Sequence, residues 1–335
     1  VKNPTRVAFN AYVQHIARLN KVPSAVETFS VDPTIQQTLE KKIQESSDFL
    51  NSINIVPVTE MSGAKLGLGV SGPIASRTDT TNADRVPRQM QNIDSKGYAC
   101  KQTNYDTAFK YNLLDTWAKF DNFQVLLRDA IVQQQALDRM MIGFNGTSAA
   151  ATTNLAANPM LQDVNIGWLQ NVRNDAHQRV MDHGAVPGKV TVGPTGDYRN
   201  LDALVFDAYM TLLDPWHRNK PDLVAIVGRN LMHDKLFPLV NEVDDPTEIM
   251  AADVVRSQKR LGGLPGVQVP FFPDNTVAVT TLKNLSIYWQ ESARRRNIID
   301  NPKRDQIENY ESSNDAFVVE DYGLFALVEK IEIQA

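Results

Sequence analysis

The chain has 335 residues, 42% of them hydrophobic and 22% charged, with a formal net charge of −5. That composition supports a sizeable core in about two compact units and argues against disorder. The acidic balance argues against tight binding of nucleic acid, and a single cysteine, Cys100, excludes an intrachain disulfide and a Cys-based zinc cage.

No apolar run approaches the ~18 residues of a membrane span, and residues 1–10 lack the basic-then-apolar pattern of a signal peptide. Phe9, Val13 and Ile16, with Leu19 or Asn20 one turn on, follow helical spacing up to Pro23. A second helix is predicted from Asp32-Pro33. Asp32 can accept a hydrogen bond from an orphan N–H, and Pro33 suits the first helical position. Ile35, Leu39, Ile43 and Phe49 or Leu50 then recur on one face. Two striped helices joined by a loose linker predict an arm that packs on something else.

From 53 to 111 helical periodicity is almost absent. Residues 53–58 predict a strand with an edge-type proline, Pro57. Residues 71–91 are rich in Ser, Thr, Asn, Asp, Pro and Arg, and 98–107 show no clean apolar face. A polar two-stranded excursion of this length cannot make its own core, so a partner chain is the simplest physical reason to keep one.

The strongest helix is predicted over 118–144, with a stripe through Phe120, Phe123, Ile131, Leu137 and Met141. Gly143 and Asn145-Gly146 end it, and its length comes to roughly 40 Å. A short segment with Ile166, Trp168, Leu169 and Val172 follows a small-residue loop, and 182–199 is turn-rich. An α/β pattern then takes over: helices over 201–213 and 230–240, strands over 223–227, 267–269, 276–281 and 285–289. Pro302 ends that block. Residues 316–319 and 324–333 predict long strands, with Ile331 and Ile333 facing one way.

Few motifs suggest chemistry. Residues 67–72, GLGVSG, match the G-x-G-x-x-G string, but Pro73 follows at once where a dinucleotide site needs a helix, so the string predicts a flexible glycine-rich strand or turn. The five histidines show no ligand spacing, and the acidic pairs Asp244-Asp245 and Glu320-Asp321 read as solvated surface. No catalytic, cofactor-binding or metal-binding residue is predicted. Arg294-Arg295-Arg296 is open to three readings: a solvated strand end or turn, an ion-pair site between subunits, or a contact to DNA phosphate. Arg77, Arg85 and Arg88 stand among Asp79, Asp84 and Asp94, as a solvated loop or as rim charges that set register with a neighbour.

Longer stretches are more specific. They are FNAYVQHIARLN from Phe9, QESSDFLNSINIVPVTEMSGAKLGLGVSGPIASRTDT from Gln44, NPMLQDVNIGWLQ from Asn158, AADVVRSQKRLGGLPGVQVPFFP from Ala251, LKNLSIYWQESARRR from Leu282 and ENYESSNDAFVVEDYG from Glu308. In these the chain resembles the major capsid protein of peduovirus-type tailed bacteriophages, over nearly its whole length and in the family's order. The resemblance implies an α+β, Hong Kong 97-type capsid fold. Its parts would be an N-terminal arm (1–52), an extended loop with flanking strands (53–111), a peripheral domain with a long spine helix (112–200), an axial domain (201–296) and return strands of the peripheral domain (297–335).

It also implies a structural role, as a subunit of pentamers and hexamers in an icosahedral head enclosing double-stranded DNA without sequence specificity. No enzymatic activity, cofactor or membrane belongs to that role. The implied partners are a scaffolding protein, a maturation protease, a portal and a decoration or size-determining protein. Assembly would take place in the host bacterial cytoplasm, ending in the virion. Relatives lose the arm at a position aligning near Phe29 and Ser30. The residues expected at contacts between subunits are Phe9, Val13, Ile16, Arg77, Arg85, Arg88, Arg294, Arg295 and Arg296, and charge reversal of the last three is expected to impair assembly more than folding. Two rivals stay open: an α/β enzyme acting on a phosphorylated ligand, resting on the glycine string, and a filament or other non-icosahedral assembly module, such as an encapsulating compartment protein of the same fold.

Overall fold

The 14-residue strand Gln306–Val319 is the axis of the computed structural model, which describes residues 2–65, 75–82, 84–86, 97–117, 123–233 and 260–334. On one side this strand pairs antiparallel with Leu285–Gln290 and then Arg295–Asn301; on the other it pairs with Lys101–Asn104 and Thr107–Lys110. Asn54–Val58 adds parallel to Leu285–Gln290, and Phe29–Ser30 adds to Arg295–Asn301, making seven strands. Pro57 stands on the outer strand, where its missing N–H breaks no ladder bond. Residues 291–294 interrupt the strand 285–301, with Ser292 in the left-handed region (φ 61°). Residues 290–294 lie opposite only Ser313 and Asn314, so the chain bulges out of the ladder there.

The long helix Phe123–Asn145 crosses this sheet and packs on the short helix Trp168–Asp175. Its 23 residues span about 35 Å. Residues 118–122, where the predicted helix begins, lie outside the described residues. Glycine lets the two helices close up: a Cβ on Gly143 would stand 2.3 Å from the Trp168 ring. The Trp168 indole N–H donates to the Ser286 carbonyl at 2.9 Å, so its polar edge is satisfied within the core.

The second sheet has the order Arg260–Leu261, Leu264–Val267, Val224–Val227, Val277–Thr280, Ala326–Val328, Val180–Met181. Its middle strands, Val224–Val227, Val277–Thr280 and Ala326–Val328, are almost wholly buried because both faces are covered there. Ile226, Ala278 and Leu327 point toward the long helix and Trp168, while Ala225, Val227, Val277, Val279, Ala326 and Val328 point toward the helix Leu201–Leu212.

Sheet membership redraws the expected segments. Leu285–Gln290 and the first two residues of Arg295–Asn301, predicted with the axial domain (201–296), lie in the seven-stranded sheet together with the rest of that strand. The last strands, predicted to return to the peripheral domain, pair instead with the α/β sheet and with Val190–Val192. The single long strand expected over 324–333 is broken at Lys330, whose φ is 56°, into Ala326–Val328 and Ile331–Ile333. Of the helix predicted over 230–240, residues 229–233 are helical and the remainder lies outside the described residues, as does the glycine string 67–72.

Candidate assembly site

The N-terminal helix Asn3–Leu19 lies on its own subunit. Ile16 is buried and Phe9 and Val13 are half-buried, in a cluster with Leu114, Ile298 and Ile307. The Arg6 guanidinium pairs with Asp300, and the Tyr111 hydroxyl donates to the same carboxylate. Partial burial pushes the Asp300 carboxyl up, but the donors Tyr111 and Arg6 outweigh it and hold it below its ordinary value. The stripe expected at a contact between subunits is thus largely used within one. The helix's outer side, with Val7 at 68% exposure, is the part left open.

Beyond Pro23 the chain returns along the sheet edge. Phe29 pairs with Arg296 and is buried, while the Ser30 hydroxyl donates to the Ser292 carbonyl at 2.9 Å. The helix Pro33–Glu45 follows, its N-terminus capped by Asp32, which accepts from the Thr34 N–H at 3.0 Å. This helix grips the bulge. The Gln36 side-chain amide donates to the Gln290 carbonyl at 3.2 Å and accepts from the Ser292 N–H at 3.1 Å.

The bulge sends three consecutive arginines to three places. Arg295 is exposed, in a shallow groove of about 250 Å³ with Thr28, Asp106 and Tyr310. Arg296 reaches the Tyr12 hydroxyl of the arm at 3.1 Å and donates to Asn309 at 2.8 Å. Arg294 is fully buried. It donates to Glu311 at 2.7 Å, to Glu40 at 2.7 Å and to the Gln135 side-chain carbonyl at 2.8 Å. The expectation that Arg294 serves a contact between subunits is therefore corrected. A guanidinium in the interior must have carboxylate partners, and Arg294 has both of its own inside the chain.

Next to it lies a second buried guanidinium, Arg139, which binds Glu40 through two nitrogens and Asp315 at 3.1 and 3.2 Å. Asp315 further accepts from Tyr105 at 3.2 Å and from Ser313 at 2.7 Å. Burial opposes charge on Arg139, but Asp315 and Glu40 outweigh it and keep the guanidinium ionised. Burial likewise pushes Glu311 up, and Arg294, Arg296 and the Arg294 and Gln135 hydrogen bonds bring it below its ordinary value. Sequence reasoning missed this cluster. Its signal is polar: Gln36, Glu40 and Ile43 are the buried positions of their helix, at the i, i+4, i+7 spacing of a buried face.

The loop begins with Ser62–Gly63 paired to Tyr98–Ala99. Arg77 and Arg85 are exposed, and Arg88 lies outside the described residues. Asp79 accepts from the Thr81 hydroxyl and N–H and from the Asn82 side chain, which lowers its carboxyl and fixes a local turn. Cys100, at the loop's base, is buried, and burial pushes its thiol up to about 12. Such a thiol is a packing group rather than a nucleophile. Among the described residues no cluster of His, Cys, Asp and Glu suits a metal ion, and no helix is long and apolar enough to cross a membrane.

The model of the phage major capsid protein, P2 family, matches residues 8–331. This chain belongs to the P2 family of phage major capsid proteins. It is 49% identical to the capsid protein of Escherichia phage P2, over 99% of this chain and 96% of that protein. It is 41% identical to the major capsid protein of Serratia phage KSP20, over 99% of this chain and 97% of that protein. A solved structure of the satellite phage P4 procapsid including the size determination (Sid) protein holds a chain 46% identical to this one. The two cover 100% and 99% of each other with a TM-score of 0.83. The capsid protein described here therefore has the α+β tailed-phage capsid fold and is a structural subunit of the virion.

Proposed function

We propose that this capsid protein joins copies of itself into pentamers and hexamers that close an icosahedral head around double-stranded DNA. The observation that carries this reading is the end-to-end structural agreement with a procapsid subunit. A closed shell needs heterologous contacts that return on themselves, and exposed charges such as Arg77, Arg85 and Arg295 suit the rims of such contacts. A net charge of −5 suits a wall that holds DNA without gripping it. A scaffolding protein, a portal and a size-determining or decoration protein complete the proposed set of partners. So does a maturation protease acting near Phe29 and Ser30; burial of Phe29 means that this segment must open locally before it enters a protease cleft. Co-production of the chain with a scaffolding protein, followed by electron microscopy, tests the core of the proposal. Closed hollow particles with five-fold vertices are expected. Monomers or open sheets under every assembly condition would overturn it.

A further inference from the structure

The buried cluster joins five separate pieces of chain. Glu40 comes from the helix Pro33–Glu45, Gln135 and Arg139 from the long helix, and Arg294 from the bulge. Glu311, Ser313 and Asp315 come from the central strand, and Tyr105 directly follows the strand Lys101–Asn104, on which the extended loop returns. The two excursions of the fold, arm and loop, thus end on the same charges. Arg139 is the link: one guanidinium holds Glu40 on one side and Asp315, the acceptor for Tyr105, on the other. Every side chain here is nearly inaccessible to water, so a departing group leaves its partners as buried, unanswered donors or acceptors. Loss of Glu40 would strip a partner from Arg139 and Arg294 together.

We propose that this cluster is a shared clasp, through which the anchoring of the helix Pro33–Glu45 and the anchoring of the loop's return strand are energetically coupled. Loosening either one then loosens the other, whatever contacts a neighbouring subunit adds. The coupling is reciprocal, because it is a property of the shared charges and not of a direction of signal.

Hydrogen exchange with mass spectrometry on the purified full chain tests it. Tyr105→Phe removes one hydroxyl from the loop side without changing volume. It is expected to raise exchange in the helix Pro33–Glu45 by about fivefold or more, although Tyr105 makes no hydrogen bond to that helix. Glu40→Gln is expected to raise exchange in Lys101–Asn104 by a similar factor, and the double variant by less than the product. If Glu40→Gln does not fold, Ser313→Ala, which withdraws a donor from Asp315, takes its place with the helix as readout. Exchange confined to the mutated element overturns the clasp. So does a uniform rise that includes Val277–Thr280 in the second sheet, because the cluster would then add only general stability.

Discussion

Arg294 and Arg295 are neighbours with opposite environments, and their substitutions should separate cleanly. Arg294→Ala leaves Glu311 buried without the guanidinium that pairs with it and takes from Glu40 one of its two cations, Arg139 remaining, a loss of about 3–5 kcal/mol for a broken buried pair. Chemical denaturation of the soluble subunit should show this as a lower midpoint, and an unchanged midpoint would contradict the buried placement. Arg295→Glu, on the surface, should stay within about 0.5 kcal/mol of the parent in the same assay. Any defect it causes should therefore appear in particle yield. Acid should act on the cluster in one direction. Glu311 is held below its ordinary value of 4.5, so the stability it contributes is present above that value and is lost as pH falls through the lower folded one. Asp197 behaves likewise. Hydrogen bonds from the Thr191 hydroxyl and the Ala185 and Thr191 N–H groups bring it to about 2 from 3.8, so its turn should hold until pH approaches 2. Chemical shifts of the Ala185 and Thr191 amides across an acid titration check this. A midpoint near 3.8 would show that the bonds are absent.

Elements defined by local chemistry were legible before any coordinates. The start of the second helix at Asp32-Pro33 follows from a cap and a proline, and both act within one turn. Removing that cap by Asp32→Ala should cost about 1 kcal/mol, with extra exchange confined to the first turn of Pro33–Glu45. The edge strand with Pro57 was readable for the same reason, whereas at Trp168 only a short apolar segment could be read, with no side-chain cap to mark the helix Trp168–Asp175. The central strand was not, beyond its last residues. Glu308, Glu311, Ser313 and Asp315 make its first part read as polar, and the groups that let Glu311 and Asp315 be buried come from elsewhere in the chain, Gln135 and Arg139 on the long helix and Arg294 in the bulge. The buried face of Pro33–Glu45 was hidden similarly, since an apolar stripe through Ile35 and Leu39 competes with the buried Gln36 and Glu40. The bulge that separates the three arginines has no composition signal at all; it exists because strand 285–301 carries more residues than the partner opposite. At the arm, apolar spacing found the right stripe but could not say whose surface it meets. Replacing Phe9, Val13 and Ile16 by Ser should undock the helix Asn3–Leu19 and raise exchange in Arg295–Asn301 of the same free subunit. If exchange there stays at the parent level, the arm is not seated on its own body.

At the scale of the whole subunit, neither core is built from one continuous stretch. The core around Leu201–Leu212 takes strands from 190–192, 224–227, 277–280 and 326–328, and Ile331 is its last large side chain. The other core shares the α/β sheet through Ile226, Ala278 and Leu327. Ala326→Asp, on the fully buried strand Ala326–Val328 of the shared sheet, should therefore disable both cores together. A single cooperative loss of structure in thermal unfolding, at a much lower temperature, is expected; two separate transitions would refute the shared sheet. The parallel pairing of Val190–Val192 with Ile331–Ile333 also sets an order of events during translation. At ~5–20 residues per second, a ribosome needs on the order of 10–30 s to travel from one to the other. Until then the nascent chain exposes the apolar surface that will later be its core. A polysome carrying many such chains side by side is crowded with sticky, unfinished subunits, and Val190–Val192 is one of the strands left waiting for a late mate.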